Sequence, residues 1–202
     1  MSPKSLTIQD KKQQKEKLLA KGRELLLTYG IRKTSVEDIT KAANMAKGSF
    51  YQHFESKDVF FFELIELFHK ELFQMADEAF SKPSDMPFKE RVREFIRFCF
   101  QSPVQLFFFK FNEELGELLR GIQNISKDRV EALMEMEHTE YELLLKQFNI
   151  DTQKVKPGVV HNYLHAIYFG IAYVNLMEQD CMEETLDALI NGVIVYIFGG
   201  DI

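Results

Sequence analysis

Apolar residues recur at three- and four-residue spacing along nearly all of this 202-residue chain, and no segment alternates as a strand would. The pattern predicts an all-α protein. Residues 1–9 are polar and read as irregular. From about Asp10, taken as an N-cap, a helix runs to Tyr29 with Leu18, Gly22, Leu25, Leu26 and Tyr29 on one face and Gly30 as its stop. Ser56 caps a long helix over about 57–81, striped by Phe60, Leu64, Leu67, Phe68, Leu72 and Met75, and Pro83 and Pro87 prevent its continuation. Helices follow over 88–101, with Val92, Phe95, Ile96, Cys99 and Phe100 periodic, and over about 103–120, ended by Gly121. From 126 to 148 the stripe reads Val130, Leu133, Met134, Glu137, Tyr141, Leu144, Leu145 and Phe148. The last two helices, about 157–179 and 182–198, are the most apolar. The final one carries Leu186, Leu189, Ile190, Val193, Ile194 and Ile197, and also Val195, Tyr196 and Phe198, so it must be buried on more than one side. Such a hairpin suits either the core of a monomer or the four-helix interface of a dimer.

Residues 34–57 carry the densest local signal. Thr34 and Glu37 match a capping box, which starts a helix at Thr34 or Ser35, and Val36, Ile39, Ala42 and Ala43 fall at helical spacing after it. Asn44 tolerates the left-handed conformation that ends many helices, so the chain turns there. Beyond the turn, Phe50 and Phe54 are four apart and face inward together, leaving Lys47, Ser49, Gln52 and His53 on more exposed faces. Two short helices about a tight turn, the second small, polar and basic outside, predict a helix-turn-helix at about 34–54. In that arrangement Lys47 is the candidate base reader, because an ammonium reaches guanine O6 and N7. Ser49 and Gln52 add contacts, and Gly48 lets the backbone come close. Lys57 at a helix N-terminus opposes the helix dipole, a placement that suits a nearby phosphate.

Charge distribution supports this reading although the net charge of −6 argues against nucleic acid. Residues 1–57 hold 12 Lys+Arg against 6 Asp+Glu, whereas residues 58–202 hold 13 against 25. A basic end on an acidic body suits phosphate binding by that end alone. Lys11, Lys12, Lys15 and Lys17 place further cations where a first helix approaches a DNA backbone or simply meets solvent. The isolated Cys99 and Cys181, and the lack of a secretory pattern at the N-terminus, fit a reducing cytoplasm. Residues 157–177 carry no formal charge, but His161, Asn162, His165 and Asn175 make a membrane span costly, so a buried helix is expected.

The run from Gly30 to Lys57, with Thr34-Ser35-Val36-Glu37-Asp38-Ile39, Lys47-Gly48-Ser49-Phe50-Tyr51, His53-Phe54 and Ser56-Lys57, resembles the DNA-binding segment of TetR-family transcriptional regulators. One departure is Ala46, where many members carry a Ser or Thr that caps the recognition helix, and no contact is assigned to it. The resemblance implies phosphate contacts by Ser35, Tyr51, His53 and Lys57. On residue type alone, Tyr51 and His53 also suit packing or structural hydrogen bonding. It further implies a DNA-binding domain over 1–57 and a larger helical domain over 58–202 that binds an effector and dimerises. The dimer would form through the last two helices, about 157–198, and a palindromic operator in double-stranded DNA would be its partner.

An apolar effector site needs aromatic walls and a few polar groups, for which Phe107, Phe108, Phe109, Phe111, Asn112, Tyr168, Tyr173 and Asn175 are candidates. The effector itself is not legible. His161 and His165 stand four apart and could share a metal, but no Cys or carboxylate at matching spacing completes a set, so they are read as buried or interface histidines with no metal. No cofactor is expected. Nor is an enzyme, because no Gly-rich phosphate loop, Gly-x-Ser-x-Gly, His-Glu-x-x-His or paired carboxylate arrangement occurs, Glu113 and Glu114 being adjacent and divergent on a helix. The reading is a cytoplasmic, effector-released repressor. Its rivals are a helical binding or interaction module without DNA binding and an enzyme in the second domain.

Overall fold

The first helix starts where a side chain can accept its orphaned amides. Thr7 Oγ1 accepts from the Asp10 amide at 3.1 Å while the Asp10 carboxylate accepts from the Thr7 amide at 2.9 Å, and this capping box opens α1, Ile8–Lys33. Asp10 is therefore the third helical residue and not the cap, because Thr7 lies at the distance that closes the box. The structure is a computed structural model and describes residues 7–101, 121, 123–172 and 177–200, with backbone alone at 171 and 172. The helix expected over 103–120 lies outside the described residues.

Gly30 breaks α1 as expected, with φ 86° and ψ 173°, a conformation open to glycine, and one more turn carries the chain to Lys33. The next cap is not the expected pair. Thr34 is buried and its hydroxyl donates back to the Gly30 carbonyl at 2.7 Å, so Ser35 and Asp38 form the capping box of α2, Val36–Ala42. Asn44, at φ 52°, ends α2 with amide bonds from Asn44 to the Lys41 carbonyl and from Met45 to the Thr40 carbonyl, a Schellman closure. The remaining helices are α3, Lys47–Tyr51, α4, Lys57–Ser81, α5, Phe88–Gln101, α6, Lys127–Gln147, α7, Pro157–Ala172, and α8, Met182–Phe198. A 3-10 turn, Gln179–Cys181, precedes α8. Helix is the only regular structure among the described residues.

The chain divides into two units. The first runs to Leu67 and takes in residues 121 and 123–126. This unit takes in the start of α4, where Phe60, Phe61, Phe62 and Leu64 are buried. Within it α1 packs on α2 and α2 on α3, around Leu18, Leu26, Ile39, Phe50 and Phe54. Tyr29, expected on the buried face of α1, is 57% exposed; the buried stripe runs Leu18, Leu19, Gly22, Leu26 and Gly30 instead.

The second unit takes the chain from Phe68 and again from Lys127. Phe73 and Ala76 are the buried residues of α4 here, not Leu72 and Met75; an apolar-rich helix offers several stripes, and the partners choose among them. Met134 of α6 is likewise exposed. Val92, Ile96 and Phe100 of α5 meet Leu186, Ile190, Val193 and Ile197 of α8 in one core, with Ile167 of α7 and Leu145 of α6. Arg93 bonds to Asn191 and Arg97 pairs with Asp187, so polar contacts border the α5–α8 seam. No helix among the described residues is long and apolar enough to cross a membrane.

Gly22 sets the closest approach in the first unit. A Cβ there would stand 2.2 Å from the tip of the Phe60 ring, which is itself fully buried among Phe50, Phe54 and Phe61. Gly22→Ala is expected to cost about 1–3 kcal/mol in denaturant unfolding followed by far-UV circular dichroism. Wild-type stability in that variant would mean that the ring has room to retreat.

Candidate functional site

Helix α3 has only five residues, so its placement comes from what its apolar side holds. Phe50 and Phe54 are almost wholly buried, their rings 5.1 Å apart, and Phe60 of α4 meets them at 5.4 and 4.9 Å. Ala46 precedes the helix without a side-chain cap, as its methyl group requires.

The opposite side carries the residues expected to meet DNA. Lys47 is exposed, with Glu37 Oε2 3.9 Å from its ammonium, a separation that holds it weakly in water. Among the described residues, and apart from its chain neighbours and the backbone of its own helix, no atom lies within 4 Å of where a Cβ at Gly48 would sit, so the backbone there is open to an approaching surface. Tyr51 is 53% exposed while its ring edge rests on Phe50 at 5.4 Å, which leaves it anchored and outward at once. Gln52 is exposed and Ser49 half-buried. These five residues share one short helix and the turn after it.

The other three candidates are more committed. Ser35 is exposed, but its hydroxyl accepts from the Asp38 amide at 3.1 Å and donates to the Asp38 carboxylate at 2.5 Å. That hydroxyl and the Ser35 amide, which donates to the same carboxylate at 3.0 Å, hold the Asp38 carboxyl below its ordinary range. A phosphate at Ser35 therefore meets a carboxylate as well. His53 is half-buried, with Nε2 3.3 Å from Gln14 Oε1 of α1. Burial first, and then the charges of Lys15 and Lys11, lower its pKa, so a neutral imidazole is the form at physiological pH. Among the α1 lysines, Lys15 pairs with Glu63 at 2.6 Å, while Lys11, Lys12 and Lys17 are exposed. Lys57 is half-buried, donating to the Ile31 carbonyl at 2.6 Å with its ammonium 5.1 Å from the centre of the Phe61 ring. Its charge thus meets a carbonyl near the end of α1, which offsets the unfavourable dipole at the start of α4. Nothing in the sequence announces that bond, since its partners lie 26 residues apart.

In the second unit Tyr168 is half-buried against the core, and burial raises its phenol pKa. The other effector candidates, Phe107, Phe108, Phe109, Phe111, Asn112, Tyr173 and Asn175, lie outside the described residues. His161 and His165 do share a face of α7, and the carboxylate that spacing did not supply comes from α6, where Glu137 is buried beside both. His69 of α4 joins them. The available signal was Glu137 itself, an acid within the apolar stripe of its helix. Burial would raise the Glu137 pKa, but hydrogen bonds from His69 and His161, with the nearby charges, outweigh it and lower the value. Burial, ahead of His161, lowers that of His165 to about 4.

Lys57→Ala removes a charge-assisted bond inside the first unit, so a loss of about 1–3 kcal/mol is expected in thermal or denaturant unfolding, with no nucleic acid present. An unchanged midpoint would assign the lysine to an external partner alone.

Residues 18–64 match the family described as bacterial regulatory proteins, tetR family. The chain is similar to the HTH-type transcriptional repressor DhaR of Mycobacterium sp. strain GP1, at 41% identity over 58 residues that make 29% of each chain. It is also similar to the HTH-type transcriptional regulator YhgD of Bacillus subtilis strain 168, at 32% identity over 94 residues, 45% of this chain and 48% of that one. The matches thus span less than half the length of these curated relatives. In fold the chain resembles a TetR-family transcriptional regulator from Pectobacterium atrosepticum, with a TM-score of 0.62 and 18% identity over 94% of this chain and 93% of the other. Residues 18–64 are thus similar in sequence to the tetR family of bacterial regulatory proteins, and the chain shares the fold of a TetR-family regulator along most of its length.

Proposed function

We propose that this chain is a cytoplasmic transcriptional regulator that binds a palindromic operator as a homodimer and is released from it by a small, largely apolar effector, acting as a repressor. The observation that carries the DNA-binding part is α3, whose aromatic anchors are buried while Lys47, Gly48, Tyr51 and Gln52 face outward from a basic segment. Lys47 reads a base edge, Ser49 and Gln52 add to it, and Ser35, Tyr51, His53 and Lys57 lie where phosphates would flank the helix. The repressor sign is supported by the name of one relative, the repressor DhaR. In this reading residues 1–57 bind DNA, and residues 58–202 bind the effector and dimerise.

The dimer reading rests on α7 and α8. Val159, Asn162, Ala166 and Phe169 are exposed at helical spacing along α7, a face more apolar than solvent alone would favour, and Ala188 is exposed on α8. A second copy of this hairpin would cover them.

Selection from random duplexes is expected to yield a two-fold-symmetric site, with binding that falls by orders of magnitude between about 50 and 200 mM salt. Lys47→Ala should change the selected sequence at one position in each half-site, at a cost of about 1–3 kcal/mol there. Equal losses on specific and nonspecific DNA would remove its base-reading role, and no salt-dependent binding by the folded protein would refute DNA binding altogether. Separately, Ala166→Glu places a charge on the outward face of α7 without disturbing the core, and sedimentation should report a dimer for the parent chain and a monomer for the variant. A dimer in both would move the interface elsewhere.

A further inference from the structure

Three imidazoles converge on one buried carboxylate in the second unit. Glu137 is 3% exposed; His69 Nδ1 lies 2.5 Å from its Oε1, and His161 Nε2 lies 2.8 Å from its Oε2. His165 Nε2 stands 3.9 Å from that same Oε2, beyond hydrogen-bond reach. The rings of His161 and His165, one helical turn apart on the same face of α7, lie 4.1 Å apart and 37° from parallel.

We propose that Glu137, His161 and His165 form a binding site for a divalent transition-metal cation of the zinc class, with His69 as the residue that positions the carboxylate. One ligand atom from each of the three residues lies within 4.8 Å of the others. Zinc bonds of about 2.0–2.2 Å to nitrogen and oxygen put tetrahedral ligands roughly 3.3 Å apart. The two distances to Oε2, 2.8 and 3.9 Å, bracket that value, and the three ligand atoms, all within 4.8 Å of one another, would draw together by side-chain rotation about the ion. Two nitrogens and one carboxylate oxygen favour zinc or a neighbouring transition metal over magnesium or calcium, which take oxygen.

The surroundings match what a metal ligand set needs. His69 holds Oε1 and leaves Oε2 to the ion, while Asn162 Oδ1, 3.2 Å from His161 Nδ1, can accept that ring's second N–H and turn the Nε2 lone pair toward the metal. Tyr141 packs edge-on against the His161 ring at 5.7 Å and limits its rotation. The His165 side chain is 36% exposed, which provides an entry path. Three protein ligands leave a fourth position for water or for an oxygen donor on a small molecule. The proposal stands independently of DNA binding.

The test uses the untagged full chain, stripped with a chelator and titrated with Zn2+ against a chromophoric competitor, and with Co2+ for its ligand-field spectrum. One ion per chain is expected, with a visible Co2+ spectrum of low coordination number. His161→Ala and His165→Ala should each weaken binding more than a hundredfold, and His69→Ala about 10–100-fold. His165→Ala lies at the open side of the cluster and keeps the test valid if a change at buried Glu137 disrupts folding. Crystals grown with Zn2+ should show anomalous density bonded to His161 and His165. Affinity equal in parent and variants, or no bound ion in the folded parent chain, would overturn the site and leave a hydrogen-bonded cluster only.

Discussion

The first unit depends on one steric fact: the Phe60 ring lies against the bare backbone of Gly22. Because α1 has no side chain at that point, the ring enters far enough to meet Phe50 and Phe54. A five-residue helix cannot hold its own shape in water, so α3 is fixed by those two anchors and by its packing on α2. The helical period then dictates that Lys47, Gly48 and Tyr51 turn the other way. A packing constraint between α1 and α4 thereby aims the polar face of α3.

In the second unit the corresponding constraint is electrostatic. A carboxylate at Glu137, within the stripe that α6 buries, loses its hydration and must find polar partners. His69 of α4 and His161 of α7 supply them, so three helices are joined at one point by directional bonds as well as by apolar contact. Removing one partner from such a group costs more than the bond it made, because the remaining charge stays buried. The apolar seam between α5 and α8 is of a different kind, continuous along Val92, Ile96 and Phe100 and bordered by the Arg93–Asn191 and Arg97–Asp187 contacts.

Charge and shape agree at the basic end. Among the cations of residues 1–57, Lys15 and Lys57 are drawn to partners within their own unit, whereas Lys47, Lys11, Lys12 and Lys17 remain exposed. Charge count alone therefore overstates the set of cations left open to an outside partner, and the side of the helix on which a residue falls matters as much as its type.

By itself the sequence determined the elements and their order. Helical spacing, the Ser56 cap, the Pro83 and Pro87 break and the left-handed Asn44 are local signals, and α2, α3, α4, α5 and α8 follow them closely because each depends on residues within a turn or two. The outward residues of the candidate DNA-binding helix were legible for the same reason: Phe50 and Phe54 fix its inner face, and the period assigns the rest. Only the tertiary structure decided which of two adjacent hydroxyls caps α2, since Thr34 is drawn to Gly30 and leaves the box to Ser35 and Asp38. It also decided that α4 buries Phe73 and Ala76, that Lys57 bonds to Ile31, and that His69, Glu137, His161 and His165 meet. Those outcomes depend on atoms distant in the chain and close in space, and no periodicity within a single helix encodes the partner it will face.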